Sequence, residues 1–291
     1  MPFHIPSFRE IHDILFDEER CICFLMETGI LKGLTTCNSC GAAVTRYGKL
    51  FHCCQYRCKK AVSIFHSTFF AGARIKCNSI MHLGYLWLSG CNSSTILAQT
   101  GHSKKTVAAF LGHFRQLVAE TLDSDDNLVG GPGIIVQVDE TKMGKRKFHR
   151  GHRVDGAWVI AGVELTSRRG VFAEVVEDRS EATIVDVLRR HIADGSVLWT
   201  DCWKSYTNIS RIFGIEHKTV NHSKCFRDPA TGVHTNVIEG TNYALKRAIP
   251  PRNRTKEHLQ EHLFEFIWRR KWESNLWEGF LKALSEIEYD N

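Results

Sequence analysis

Two aspartates close apolar runs in the second half of the chain. Asp139 ends IIVQVD (134–139) and Asp201 ends SVLWTD (196–201). A carboxylate at the end of a buried strand is costly unless it is paired or bound to a metal. One such aspartate is usually a cap or a turn residue. Two of them, with Glu239 in the helix-starting stretch HTNVIEGTNYALKR (234–247), point to a converging set. Three carboxylates supply the hard oxygen donors that magnesium prefers, and magnesium keeps waters and substrate phosphates in its shell. A pair of such ions can activate an attacking oxygen and stabilise a leaving one. Without cations the cluster would repel itself and raise its own pKa values.

Basic tracts sit beside these acids. TKMGKRKFHRGHR (141–153) follows Asp139 and carries Lys145, Arg146, Lys147 and Arg150. KRAIPPRNRTK (246–256) follows Glu239 and opens with Lys246 and Arg247. Charged runs are usually solvated faces. Their position next to the acids favours a track for a phosphate backbone.

A different donor set lies upstream, in CNSCGAAVTRYGKLFHCCQYRC (37–58). Four thiolates in two close pairs suit tetrahedral zinc in a structural site. Cys37, Cys40 and Cys58 are clear choices, and Cys53 is favoured over Cys54 for the fourth. Five cysteines within 22 residues make a set of unrelated buried thiols a poor explanation. The zinc would give folding energy to a segment too small for its own core. The scattered cysteines 21, 23, 77, 91, 202 and 225 read as ordinary core residues.

These groups need elements to position them. VTRYGKLFH alternates around a glycine turn, as the hairpin of a zinc ribbon would. Residues 7–28 read as one helix with a Ser7–Glu10 capping box. Residues 80–120 are helical and broken at Gly101. Ser103 can cap a second helix there, with Val107, Phe110, Leu111, Phe114 and Leu117 on its apolar stripe. That is a helix-turn-helix layout, with Ser103, Lys104, Lys105 and Thr106 where a recognition helix meets a major groove. DSDDNLVGGPG (123–133) reads as a linker. Beyond it, runs at 134–140, 157–165, 170–176 and 196–201 read as strands, with a helix at 181–194 between the third and fourth. Hairpins joining the first three strands and a helical crossover to the fourth bring Asp139 and Asp201 to one edge. A helix from about 236 to 249 can lay Glu239 beside them.

Of 291 residues, 43% are hydrophobic, which fits a globular chain, and the formal net charge of +6 permits nucleic acid binding without requiring it. No segment reaches the ~20 apolar residues of a membrane span. SFREIHDILFDEER (7–20) lacks the pattern of a secretory signal, so an intracellular location is expected.

VDET (138–141), WTDCWKSY (199–206) and HTNVIEGTNYALKR (234–247) resemble the blocks of DDE transposases of the Merlin superfamily, the eukaryotic branch of a group that includes bacterial insertion-sequence transposases. CKKAVSIFHSTFF (58–70) is similar to that group's ribbon exit, and the likeness runs from about Cys37 to Trp272. The resemblance implies an α+β multidomain protein: an N-terminal zinc ribbon and helix-turn-helix followed by an RNase H-like α/β catalytic core with a mixed sheet. It implies Asp139, Asp201 and Glu239 as the catalytic set, holding two magnesium or manganese ions. The expected boundaries are an N-terminal helix (1–32), ribbon (33–76), helix-turn-helix region (77–122), linker (123–133), catalytic domain (134–254) and C-terminal helical region (255–291). The expected activity is cut-and-paste transposition on double-stranded DNA, at terminal inverted repeats and target, by a homodimer or higher oligomer. The nucleus is the expected location in a eukaryote, and the cytoplasm or nucleoid otherwise. A domesticated DNA-binding protein and an RNase H-like nuclease without strand transfer stay open as alternatives. His234 and Asn236 are candidates to support Glu239, Asn236 equally a helix cap; Trp203 and Tyr206 read as core or DNA-stacking residues. The aromatic stretch 255–289, with Trp268, Trp272 and Trp277, reads as packing or as an interface.

Overall fold

The computed structural model describes residues 5–123, 125–144, 156–223 and 225–287. It divides into two compact units, residues 1–121 with 272–291 and residues 122–271.

In the first unit, α1 (Phe8–Phe16) begins with Glu10 accepting the Ser7 backbone N–H at 2.6 Å. The helical period of the sequence runs on to 28, but the chain breaks at Asp17 (φ −113°), which accepts from Arg20 N and starts α2 (Glu18–Glu27). Glu18 and Glu19 in the first turn favour that start. Strands β1 (Val44–Tyr47) and β2 (Leu50–Cys53) form a hairpin around Gly48-Lys49, with Gly48 at φ 57°. β3 (Ala61–Ser63) pairs antiparallel with β2.

Three helices follow: α3 (Cys77–Leu88), α4 (Ser93–Thr100) and α5 (Lys104–Glu120). Asn92 caps α4, and Gly101, left-handed at φ 66°, ends it. Ser103 then accepts from Thr106 N and starts α5. Val107, Leu111, Phe114 and Leu117 line the buried stripe of α5, as their spacing predicts.

In the second unit the stretch 123–133 is built into the fold. Val129 is buried, β4 (Val129–Gly130) pairs parallel with a later two-residue strand, and the Gly130 and Gly131 N–H groups donate to Glu164 Oε2 and Ser196 Oγ. The main sheet contains β5 (Ile135–Lys142), β6 (Trp158–Glu164) and β7 (Val171–Val176), then α6 (Glu181–His191). The chain continues through β8 (Ile192–Ala193, the partner of β4), β9 (Val197–Asp201), α7 (Ile209–Phe213) and β10 (Glu216–Val220). Two helices close the unit, α8 (Asn236–Ala248) and α9 (Lys256–Lys271).

The sheet order is β10-β9-β5-β6-β7, with β6 antiparallel to its neighbours and the other pairings parallel. The first three strands form a meander. The α6 crossover then returns the chain to the far side of β5. One face packs Val136, Val138, Ile160, Phe172 and Leu198 against Ile184, Val187 and Leu188 of α6. The other packs Val159, Ala161 and Val163 against Ile238 and Leu245 of α8 and Leu259 and Leu263 of α9. Full burial of one such side chain contributes about 1.5–3 kcal/mol, so both faces hold the sheet firmly under the site.

The stretch 255–291, expected as one helical region, divides. α9 ends the second unit, while α10 (Leu276–Glu286) belongs to the first. There Phe280 fills the space left by Gly84, where a Cβ would lie 2.8 Å from the ring. Trp268 and Trp277 are buried, so packing accounts for them. Among the described residues no helix is long and apolar enough to cross a membrane.

Candidate active site

The parallel ladder between β5 and β9 pairs Ile135 with Val197, Val136 with Leu198 and Gln137 with Trp199. It stops there. Two residues further along each strand come Asp139 and Asp201, at the same level where the strands part. Side chains alternate along a strand. Val136, Val138 and Leu198 face α6, so Gln137, Asp139 and Asp201 face α8. The order of strands and helices in the sequence predicts this shared edge.

α8 is tied to that face by two residues of β5. The buried Gln137 carboxamide accepts from Val237 N and Ile238 N at 3.1 and 3.0 Å and donates to His234 O at 2.7 Å. It thereby satisfies two of the free N–H groups of the helix start. No side chain of the cap residue, Thr235, does so, and Asn236 is the first helical residue rather than the cap. One and a half turns on, buried Asn242 donates to Asp139 Oδ2 at 2.9 Å. The remaining Asn242 oxygen is buried without a partner.

Glu239 lies one turn before Asn242 on the same helix and is half-exposed. Thr235 Oγ1 donates to its Oε1 at 2.8 Å, and His222 Nε2 approaches that oxygen at 3.4 Å and Thr235 Oγ1 at 2.7 Å. Asp201 accepts from Trp203 N at 2.8 Å. Burial, then the charge of Asp201, pushes Asp139 up to about 6, against the hydrogen bond from Asn242, and Glu239 adds to the rise. Asp139, the most enclosed of the three, thus senses both other carboxylates.

A fourth acid joins them from the other face. Burial, reinforced by Asp139 and Asp201 and opposed by nearby Tyr206 and Arg179, pushes Glu140 up to about 7. Tyr206 is fully buried and belongs to the α6-side core. Lys246, two turns after Glu239, has its pKa lowered by burial although Asp139 opposes the shift. Arg247 is exposed. Lys145, Arg146, Lys147 and Arg150 lie outside the described residues.

Sequence reasoning missed Gln137, Glu140, His222 and Thr235. For Gln137 a signal existed: an amide in the middle of an apolar strand needs partners. Nothing in the sequence pairs His222 with Glu239.

In the first unit, the Sγ atoms of Cys37, Cys40, Cys53 and Cys58 all lie within 4.8 Å of one another. Cys40 and Cys53 sulfurs are 3.4 Å apart, and Cys37 and Cys58 sulfurs 3.8 Å. Backbone N–H groups of Ser39 and Cys40 bring the Cys37 thiol down to about 6, which favours the thiolate that a metal binds. Cys54 turns the other way, with its sulfur 3.3 Å from Thr45 Oγ1. Four such thiols are compatible with structural zinc. At the start of α5, Ser103, Lys104 and Lys105 are exposed and Thr106 is half-buried.

Three comparisons bear on this architecture. An uncharacterized transposase-like protein of Haemophilus influenzae is 27% identical over 103 residues, which cover 34% of this chain and 79% of that protein. The crystal structure of a pre-cleavage Mos1 transpososome aligns with 75% of this chain and 81% of that chain at 12% identity, with a TM-score of 0.21, a likeness too low to bear on the fold. The model of the ISXO2-like transposase domain matches residues 118–271, which span the whole sheet, both flanking helix layers and all three carboxylates. The chain belongs to the ISXO2-like transposase domain family.

Proposed function

We propose that the protein is a DDE-type cut-and-paste DNA transposase with Asp139, Asp201 and Glu239 as its catalytic carboxylates. The observation that carries this reading is the level of Asp139 and Asp201 where β5 and β9 part, under a helix that Gln137 and Asn242 tie to β5. The sheet, a three-strand meander extended in parallel from its first strand, supports an RNase H-like core.

The donor set fits hard divalent cations. It consists of oxygen ligands, and the pKa of Asp139 is raised by burial and then by repulsion from Asp201, both of which a bound cation would offset. Asp139, Asp201 and Glu239 would hold two magnesium or manganese ions, which when bound supply an activated oxygen nucleophile and stabilise the departing oxygen. Asn242 fixes the plane of the Asp139 carboxylate. Thr235 and His222 orient Glu239. Lys246 brings positive charge to the same face. In the first reaction, an oxygen–phosphorus bond from water forms and the bond to the 3′-oxygen breaks. In the second, the freed 3′-hydroxyl forms a bond to a target phosphorus as a target strand bond breaks.

The four-cysteine cluster would hold structural zinc, and the ribbon with α4 and α5 would recognise terminal inverted repeats through Ser103, Lys104, Lys105 and Thr106. Processing two ends together calls for two active sites, hence a homodimer or larger assembly on DNA. Lys145, Arg146, Lys147, Arg150, Lys246 and Arg247 would track the phosphate backbone. Within the family, the three sequence blocks support the Merlin branch; a tree grouping the chain with bacterial insertion-sequence transposases would remove it from there. A chromosomal substrate implies the nucleus in a eukaryotic host.

The test combines labelled inverted repeats from the ends of its own genetic element, a target plasmid and magnesium. Integration products that disappear in Asp139→Ala and Glu239→Ala support the proposal. Specific binding without metal-dependent cleavage sinks it, and cleavage without joining replaces it with a nuclease.

A further inference from the structure

A stack of cations and indoles occupies the same sheet edge on the face turned to α6. The Arg179 guanidinium lies 4.4 Å from the Trp158 ring centroid and 4.2 Å from that of Trp203. Lys142 Nζ is 5.3 Å from Trp158, and Lys204 Nζ is 5.9 Å from Trp203. The topology explains the convergence. Trp158 opens β6 opposite Lys142 at the end of β5, Trp203 and Lys204 follow Asp201, and Arg179 precedes the Ser180 cap of α6. Both indoles pack on the α6-side core, and the Arg179 carbonyl accepts from Ser205 Oγ at 3.0 Å.

Indoles over a guanidinium hold its plane, while its N–H edge stays available for a planar or tetrahedral oxyanion. Among the described residues no hydrogen bond or ion pair takes up that edge; Arg179 opposes the rise of the half-buried Glu140 carboxyl. Three cations, Arg179, Lys142 and Lys204, thus line the α6 face of this edge, with half-buried Glu140 as the acid on that face. Arginine in a fixed orientation, flanked by two lysines and beside the carboxylates, has the chemistry of a phosphate receptor.

We propose that the Arg179 stack binds a phosphodiester of the DNA strand that reacts at Asp139 and Asp201, where that strand crosses from the α8 face of the edge to the α6 face. Arg179 is the phosphate ligand, and Trp158 and Trp203 are positioning residues. This inference rests on the proposed function for the identity of the anion.

The test measures the affinity of the full chain for a short labelled duplex of mixed sequence, in calcium, over a series of salt concentrations. Each phosphate contact contributes about 0.9 to the slope of log affinity against log salt. Arg179→Met keeps a slim side chain between the indoles without the charge, and the slope should fall by about 0.9. Arg179→Lys should keep the slope, and so should Arg189→Met on the exposed side of α6. A folded Arg179→Met protein with the wild-type slope overturns the inference. Should that variant fail to fold, a scan of neutral methylphosphonates along the wild-type duplex replaces it; the absence of a sensitive phosphate near the cleaved bond overturns the inference equally. Cleavage in magnesium is read separately. A wild-type slope with cleavage intact sinks the stack alone, and a lowered slope without any cleavage sinks the catalytic reading alone.

Discussion

The chain carries two donor clusters of opposite construction. The thiols come from one 22-residue segment and sit within 4.8 Å of one another. The carboxylates come from two strands and a helix, and Glu239 is half-exposed. The first cluster has four soft donors and is closed, which suits a metal that holds a fold. The second has hard donors at an open edge, where burial of Asp139 and then the charge of Asp201 raise the Asp139 pKa. The contrast is between a closed soft-donor site built from one short segment and an open hard-donor site assembled from three separate elements.

The largest effect should come from breaking the thiol cluster. Cys53→Ser or chelation should remove zinc, which analysis should otherwise find at about one per chain, and with it folding energy on the order of 10 kcal/mol for the ribbon. Loss of ribbon amide protection in hydrogen exchange checks this. Unchanged protection would refute a structural metal. Cys54→Ser, pointing away, should shift stability by no more than about 0.5 kcal/mol, so the neighbouring positions sharpen the assignment.

Next comes chemistry at the open edge. Asp201→Asn should lower cleavage by about a thousandfold, roughly 4 kcal/mol, without unfolding the second unit. Asp139→Asn should abolish cleavage yet stabilise the metal-free protein at neutral pH. The sign follows from the pKa. A carboxyl raised from 3.8 to about 6 stabilises the fold while protonated, and that contribution is lost as pH rises from about 4 through about 6. The loss amounts to about 3 kcal/mol for that rise. Thermal melts across pH without added magnesium should show a smaller decline in Asp139→Asn than in the wild type, because the raised Glu140 carboxyl still contributes. An equal decline in both would mean that Asp139 is not the strained group.

Smaller effects should come from the residues that support the carboxylates. Asn242→Ala should reduce cleavage about 10- to 100-fold, as loss of an outer-shell partner does, with a raised metal requirement in a titration. Gln137→Leu should cost about 1–3 kcal/mol of stability by leaving the start of α8 without its acceptor. Denaturant unfolding measures it, and a change below the error of that measurement would show that α8 does not depend on the amide.

Much of this is readable in the sequence because the signals are local. Apolar runs of strand length, the crossover helix and the Gly101–Ser103 boundary follow from periodicity and capping. The choice between Cys53 and Cys54 also has a local answer: neighbours at the end of a strand point to opposite sides, and only one can face Cys40. The break at Asp17 is hidden because the apolar period continues across it. The partnerships of Gln137 with α8 and of His222 with Glu239 are not readable. The first depends on how a helix lies over a strand about a hundred residues away in sequence, and the second on the path of the loop between β10 and α8, neither of which a local preference encodes. β10, the edge strand EHKTV, escapes a sequence reading because its short polar segment carries little apolar pattern.

The Gln137 amide fixes the position of α8 at the helix start, so the length of chain between β10 and that point does not set where Glu239 sits. Relatives could carry insertions at the turn around Ala230 and keep the same acid in the same place, and an engineer could thread a tag or a second binding module there. The spacing between the second and third acids would then be free to drift while the strand-borne amide keeps the helix in register.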